Sequence, residues 1–164
     1  VADGRVSPEE LYVRCAMPTR RFAYLMTGDH ALAEDLVNDC FVKLCARPWY
    51  LAGVEDPDAY LRRMVVNAVR SDIRRKALDR RHAGHSPEPR IDPIGVVDDR
   101  DALRGLLATL TKRQRAAVIL RYYVGLTEQE AATEMGCSVG TVKALASRGR
   151  AALLAVIADE GALQ

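Results

Sequence analysis

The sequence predicts an all-α protein made of two small helical domains joined by a flexible linker. Three observations predict it. Apolar residues recur at i, i+3, i+4 and i+7 through most of the 164 residues, the signature of amphipathic helices. No stretch alternates with period two over β-branched residues, as a half-buried strand would. Residues 82–98 hold three prolines and two glycines without helical periodicity, and this composition marks a linker between two periodic halves.

A first helix is expected from about Pro8 to Met26, with Leu11, Cys15, Phe22 and Leu25 on one side and Pro18 kinking or restarting it. Thr27-Gly28-Asp29 breaks it, and Asp29 can cap the second helix. In that second helix Ala33, Leu36, Val37, Cys40, Phe41 and Leu44 form a continuous apolar stripe, opposite an acidic face of Glu34, Asp35, Asn38 and Asp39. Pro48 to Asp56 reads as a loop. Asp56-Pro57 then places an N-cap before a proline at the first helical position. The third helix runs to about Asp79, with Leu61, Met64, Val65, Ala68, Val69 and Ile73 buried. Its outer side presents Arg63, Asn67, Arg70 and Arg74, followed by Arg75, Lys76, Arg80 and Arg81.

Beyond the linker, Leu103, Leu106, Leu107 and Leu110 share a helix face. Thr111 and Gln114 form a capping box for a helix from Lys112 to Tyr123, ended by Gly125. Thr127 and Glu130 form a second box for a short helix that stops at Gly136, and Ser138 can cap a last helix from Val139 to about Ile157. Helix, glycine-containing turn, helix is a helix-turn-helix. Ala131, Met135, Cys137, Val142 and Leu145 supply its core, and Ala132 is small where the helices cross. The outer side of the last helix offers Thr141, Lys143, Ser147, Arg148 and Arg150, with no acidic residue between Val139 and Ile157. A helix so charged can enter a major groove without repulsion from phosphates.

The formal net charge is only +2, which by itself argues against a nucleic-acid binder. Its distribution argues the reverse: residues 1–57 sum to −3, residues 58–90 to +5, residues 91–106 to −2 and residues 107–164 to +2. Eight basic residues against two acidic ones between Tyr60 and Arg81 are the footprint of phosphate contact. The longest apolar run, Ala151–Ala158, is far shorter than the ~20 residues that span a bilayer, and the first fifteen residues hold no apolar stretch of a signal peptide. A cytoplasmic protein without membrane insertion is expected. Cys15, Cys40, Cys45 and Cys137 lack C-x-x-C spacing and neighbouring histidines, so they read as buried free thiols rather than metal ligands, with a redox contact between Cys15 and Cys40 or Cys45 as the alternative reading. His82 and His85 read as solvated. No nucleophile–base pair, phosphate-cradling loop or metal cluster is present, so neither enzymatic activity nor a cofactor is expected.

The stretch LTEQEAATEMGCSVGTVKALASRGRAAL, preceded by LATLTKRQRAAVILRYYVG, resembles region 4 of an extracytoplasmic-function (ECF) sigma factor of compact actinobacterial type. YLMTGDHALAEDLVNDCFVKL and DPDAYLRRMVVNAVRSDIRRK resemble region 2. The resemblance implies region 2 over residues 8–81, a linker over 82–98 and region 4 over 99–160. It implies a promoter-specificity subunit that binds core RNA polymerase, through the β′ clamp helices and the β flap, and promoter DNA. Docking on the clamp helices falls to Glu34, Asp35, Leu36, Asn38, Asp39 and Phe41; Asn38 and Asp39 stand where the family more often has Gln and Glu. Opened −10 DNA falls to Arg62, Arg63, Asn67, Arg70, Arg74 and Arg75, with a flipped base held by the loop at Leu51 to Asp56. The −35 element falls to Thr141, Lys143, Ser147, Arg148 and Arg150; Ala144 replaces a usual serine. An anti-sigma partner is implied as well.

A stand-alone helix-turn-helix regulator accounts for residues 127–153 equally well. It gives no reason for the arginine helix or the acidic face. Binding to core RNA polymerase separates the two readings.

Overall fold

In the computed structural model, residues 6–83 and 99–161 are described, and all their regular structure is helical. The chain divides into two units, residues 1–93 and 94–164. Unit 1 holds α1 (Pro8–Thr27), α2 (His30–Ala46) and α3 (Pro57–Ala83), with a 3-10 turn at Pro48–Leu51. Unit 2 holds α4 (Asp99–Ala108), α5 (Lys112–Val118), α6 (Glu128–Met135) and α7 (Val139–Gly161), with a π-helical turn at Ile119–Tyr123. The expected linker lies outside the described residues from position 84 onward, and His85 with it; positions 82 and 83 close α3 instead.

In unit 1 each helix packs on the other two. Ser7 and Glu10 close a capping box on α1, and Asp29 caps α2 by accepting from the Leu32 amide at 3.0 Å. Gly28, at φ +73°, takes the left-handed conformation that lets the chain reverse between them. α1 does not restart at Pro18 but runs through it. A proline inside a helix costs about 3 kcal/mol. Leu11 and Phe22, buried on either side, each contribute about 1.5–3 kcal/mol by burial and hold the helix across it.

Asp56 caps α3 through the Ala59 amide at 2.9 Å. The buried side of α3 is rotated from the expected stripe. Leu61, Val65, Val66, Val69 and Asp72 are buried, whereas Met64, Ala68 and Ile73 are only half-buried. A helix wedged against two neighbours buries a wider arc than a single-face pattern anticipates, and the arc here spreads toward Val66. The buried Asp72 carboxylate is paired with Arg75 and Lys76, each at 2.9 Å.

In unit 2, α7 packs on α5, α6 and α4 around Leu107, Leu110, Ala117, Ile119, Leu120, Ala131 and Val142. Leu103, expected on the inner face of α4, is 40% exposed: it lies a full turn before the part of that helix that reaches the core. The expected helix from Lys112 to Tyr123 is present, but its last turn widens, with the Val124 amide donating to the Ile119 carbonyl at 3.0 Å. Arg115, half-buried, donates from Nε to the Leu107 carbonyl at 2.8 Å and so ties the end of α4 to α5; burial lowers its pKa.

Of the cysteines expected to be buried, Cys15 and Cys40 are, Cys137 is half-buried and Cys45 is exposed. Cys45 falls past the last buried turn of α2, after Leu44. All four are free. The Cys15 thiol donates to the Asp58 carboxylate on α3.

Candidate nucleic-acid interface

The two capping boxes of unit 2 set the geometry of its turn. The Thr111 hydroxyl accepts from the Gln114 amide at 3.3 Å, and Thr127 from the Glu130 amide at 3.2 Å, with each glutamine or glutamate side chain returning to the cap amide. Gly136 sits at φ +60°, and the Cys137 amide closes the turn on the Ala132 carbonyl at 3.1 Å. Only a residue without Cβ adopts that conformation at no steric cost. Ala131 and Ala132 are buried, so α6 and α7 approach closely. Ser138 then starts α7, accepting from the Thr141 amide at 3.2 Å.

α7 consequently divides into an inner and an outer side. Val142, Leu145, Ala146 and Gly149 are buried, while Lys143, Ser147, Arg148 and Arg150 are exposed. Arg148 bends back to donate from Nε to the Ala144 carbonyl at 3.2 Å, leaving the rest of its guanidinium outward. Thr141 differs from the others: it is half-buried, and its hydroxyl lies 2.8 Å from that of Ser138. Part of its expected hydrogen-bonding capacity is thus engaged within the cap. Two residues outside the sequence-predicted set, Arg121 and Tyr122, line one groove with Lys143, Ser147 and Arg150. Their signal in the sequence is an adjacent basic and aromatic pair just before Gly125, which periodicity alone assigns to a helix end.

On α3, Arg63, Asn67, Arg70, Arg74 and Arg75 are exposed and Arg62 is half-buried. The positions 63, 67, 70 and 74 fall on one side at helical spacing. Arg75 is held from beneath by Asp72, so its guanidinium starts from a fixed point.

On α2, Glu34, Asp35, Asn38 and Asp39 are exposed and Leu36 is half-buried. Phe41 is not on this face: it is 4% exposed and meets the Tyr12 ring edge-on at 4.9 Å. The aromatic ring sits at the α1–α2 seam, where burial outweighs any contact it makes at the surface. The face is also less purely acidic than the sequence suggests. Arg20 of α1 reaches Glu34 at 3.6 Å and the Asn38 side-chain oxygen at 3.4 Å, and it donates to the Tyr12 hydroxyl at 3.1 Å.

No group of three or more metal-ligating side chains occurs among the described residues, and none of their helices is long and apolar enough to cross a membrane.

Comparison with known proteins supplies the family. Residues 11–78 match Sigma-70 region 2, and residues 100–153 match Sigma-70, region 4. The RNA polymerase sigma-E factor of Streptomyces avermitilis is 31% identical over 155 residues, covering 93% of this chain and 87% of that one. The ECF RNA polymerase sigma factor SigL of Mycobacterium tuberculosis is 30% identical over 139 residues, covering 81% and 78%. Among solved structures, the sigma factor RpoE in complex with the anti-sigma factor NepR from Bartonella quintana aligns with a TM-score of 0.73 at 26% identity, over 91% of this chain and 95% of that one. With both regions present in order and these relatives matched along most of their length, the chain belongs to the extracytoplasmic-function sigma factors of the sigma-70 family.

Proposed function

We propose that the chain serves as a promoter-specificity subunit, not an enzyme: it binds core RNA polymerase in the cytoplasm and directs it to promoters with a −35 and a −10 element. Residues 8–83 act as region 2, 84–98 as linker and 99–160 as region 4. The outer side of α7 enters the major groove at −35, where Lys143, Ser147 and Arg148 reach base edges and phosphates, Arg150 takes a flanking phosphate, and Thr141 supports the start of the helix. On α3, Asn67 faces the opened −10 strand while Arg62, Arg63, Arg70, Arg74 and Arg75 track its phosphates. The loop at 51–56 holds a flipped base. Glu34, Asp35, Asn38 and Asp39 of α2 dock on the β′ clamp helices with Leu36 at the margin, and unit 2 meets the β flap.

One observation carries this reading: basic outer faces on α3 and α7 coexist, in one chain, with an α2 face whose acidic side chains are exposed. A regulator that binds duplex DNA alone needs only α7. The complex of RpoE with NepR supports an anti-sigma partner of the same kind here. Two assays test the proposal, capture of core RNA polymerase by the full chain and run-off transcription with mapped start sites. Operator binding that is equally tight without polymerase, together with no capture of core enzyme, overturns it.

A further inference from the structure

A line of contacts runs from the core of unit 1 to the acidic face of α2. The buried Phe41 ring meets the Tyr12 ring edge-on at 4.9 Å. The Tyr12 hydroxyl accepts from Nη2 of Arg20 at 3.1 Å, and that guanidinium lies 6.0 Å from the Tyr12 ring centroid. The same Nη2 reaches the Asn38 side-chain oxygen at 3.4 Å and the Glu34 carboxylate at 3.6 Å. Nε of Arg20 is enclosed in the seam without a hydrogen-bond partner. The head is thus held on the core side by Tyr12, and its outward reach falls on Glu34 and Asn38. An ion pair with an exposed glutamate at that distance adds little to fold stability. What the three contacts do is set positions.

The carboxylates of the face fall into two groups. Asp35 and Asp39, one turn apart and exposed, pair with no cation among the described residues. Glu34 is covered by Arg20. A basic partner therefore meets two open carboxylates and a third already neutralised, with Glu34 and Asn38 at rest before it arrives. These two consequences oppose each other in binding. Neutralising Glu34 weakens the long-range attraction that draws a basic surface in. Holding Glu34 and Asn38 still removes the ordering cost that mobile side chains otherwise incur on docking.

We propose that Arg20 is a positioning residue for polymerase docking. Carried on α1 and seated on Tyr12, it holds Glu34 and Asn38 in the pose that a basic partner surface meets, while weakening the attraction of the face at long range. The inference rests on the reading of α2 as the docking face. It also gives Phe41 a part in docking without contact with the partner, exerted through Tyr12.

The test measures association rate and affinity of the full chain for core RNA polymerase over a range of ionic strength. Arg20→Met keeps the bulk of the stem and removes the charge. At low ionic strength it associates faster than the parent, by about 2-fold for each partner cation ~10 Å away through water. At high ionic strength the attraction is screened and the ordering cost remains, so its affinity is weaker by about 2- to 10-fold, the range for one mobile side chain. The two salt curves cross, which a loss of stability alone does not produce. Arg20→Lys keeps the charge and associates at the parent rate. Asp35→Asn/Asp39→Asn tests the face itself and associates more slowly than the parent. If that double variant binds as the parent does, the docking face and the role of Arg20 both fall. If it is impaired while Arg20→Met follows the parent curve throughout, the role of Arg20 alone falls. Slower association of Arg20→Met at low ionic strength overturns the proposal in favour of a direct contact between Arg20 and a partner carboxylate. Should Arg20→Met lose helical structure, Tyr12→Phe decides, since it keeps the ring on Phe41 and removes only the hydroxyl: weaker affinity at high ionic strength with association unchanged supports the proposal, and parent affinity overturns it.

Discussion

Gly149 sits at the α5–α7 crossing, and replacing it by alanine sets two effects of opposite sign against each other. A Cβ built there lies 2.7 Å from Cγ2 of Val118 and 3.4 Å from Cβ of Gln114. Alanine is favoured over glycine in a helix interior by about 1 kcal/mol. Overpacking a filled contact costs about 1–3 kcal/mol. Val118 is buried at 7% exposure, and a β-branched side chain in a helix has one strongly preferred rotamer, so it cannot swing away. To restore ordinary contact the helices must part by about 0.7 Å, which the dense packing of a core resists. The net expectation is a loss of about 0–2 kcal/mol, confined to unit 2. Native-state amide hydrogen exchange of the full chain separates the units: protection falls in α5 and α7 and is unchanged in α1 to α3. Gly149→Ala/Val118→Ala removes the clash, so the double variant is less destabilised than the sum of the single ones. Increased protection in Gly149→Ala, by the amount propensity alone supplies, would refute the close approach.

Arg148→Ala weakens promoter binding by holoenzyme by about 1–3 kcal/mol at fixed salt if the side chain reads a base; footprinting on a mapped promoter decides it, and unchanged affinity counts against that role. Thr127→Ala opens the capping box of α6 and destabilises unit 2 by about 0.5–2 kcal/mol, visible as faster amide exchange in α6 and α7. Burial pushes the Cys40 thiol up to about 11 from 9.0. The folded state thus holds this proton more tightly than the unfolded chain does. Its contribution is complete below about pH 9 and is lost as pH rises through about 11, by roughly 2–3 kcal/mol. Urea midpoints near neutral and near pH 11 measure it: Cys40→Ala shows a smaller alkaline loss than the parent chain, and equal losses remove the thiol from the account. Cys45, exposed, is alkylated by iodoacetamide in the native state while Cys40 is protected; mass mapping of the adducts reads the order.

Much of the fold was legible because its determinants are local. Asp29, Asp56, Thr111, Thr127 and Ser138 each cap the helix their sequence position announces, through hydrogen bonds spanning three residues. Gly136 ends α6 because a left-handed cap needs no tertiary partner to be favoured. The outward positions of Lys143, Ser147, Arg148 and Arg150 arise from periodicity and the apolar residues between them. Those features belong to the chain itself.

Other features depend on neighbours distant in sequence. Phe41 lies in both the apolar stripe and the expected docking set, and only the meeting of α1 and α2 at Tyr12 assigns it to the core. Arg20, fourteen positions before Glu34, changes the acidic face by reaching across the same seam, a pairing that no spacing rule on one helix reveals. The rotation of α3 toward Val66 and the continuity of α1 through Pro18 likewise depend on what packs alongside. The sequence by itself determined where the capped helices begin and which charges ride together on one helix. Only the tertiary structure decided which of those side chains remain available. Caps and periodicity are short-range interactions, whereas burial is a competition among elements for a shared core.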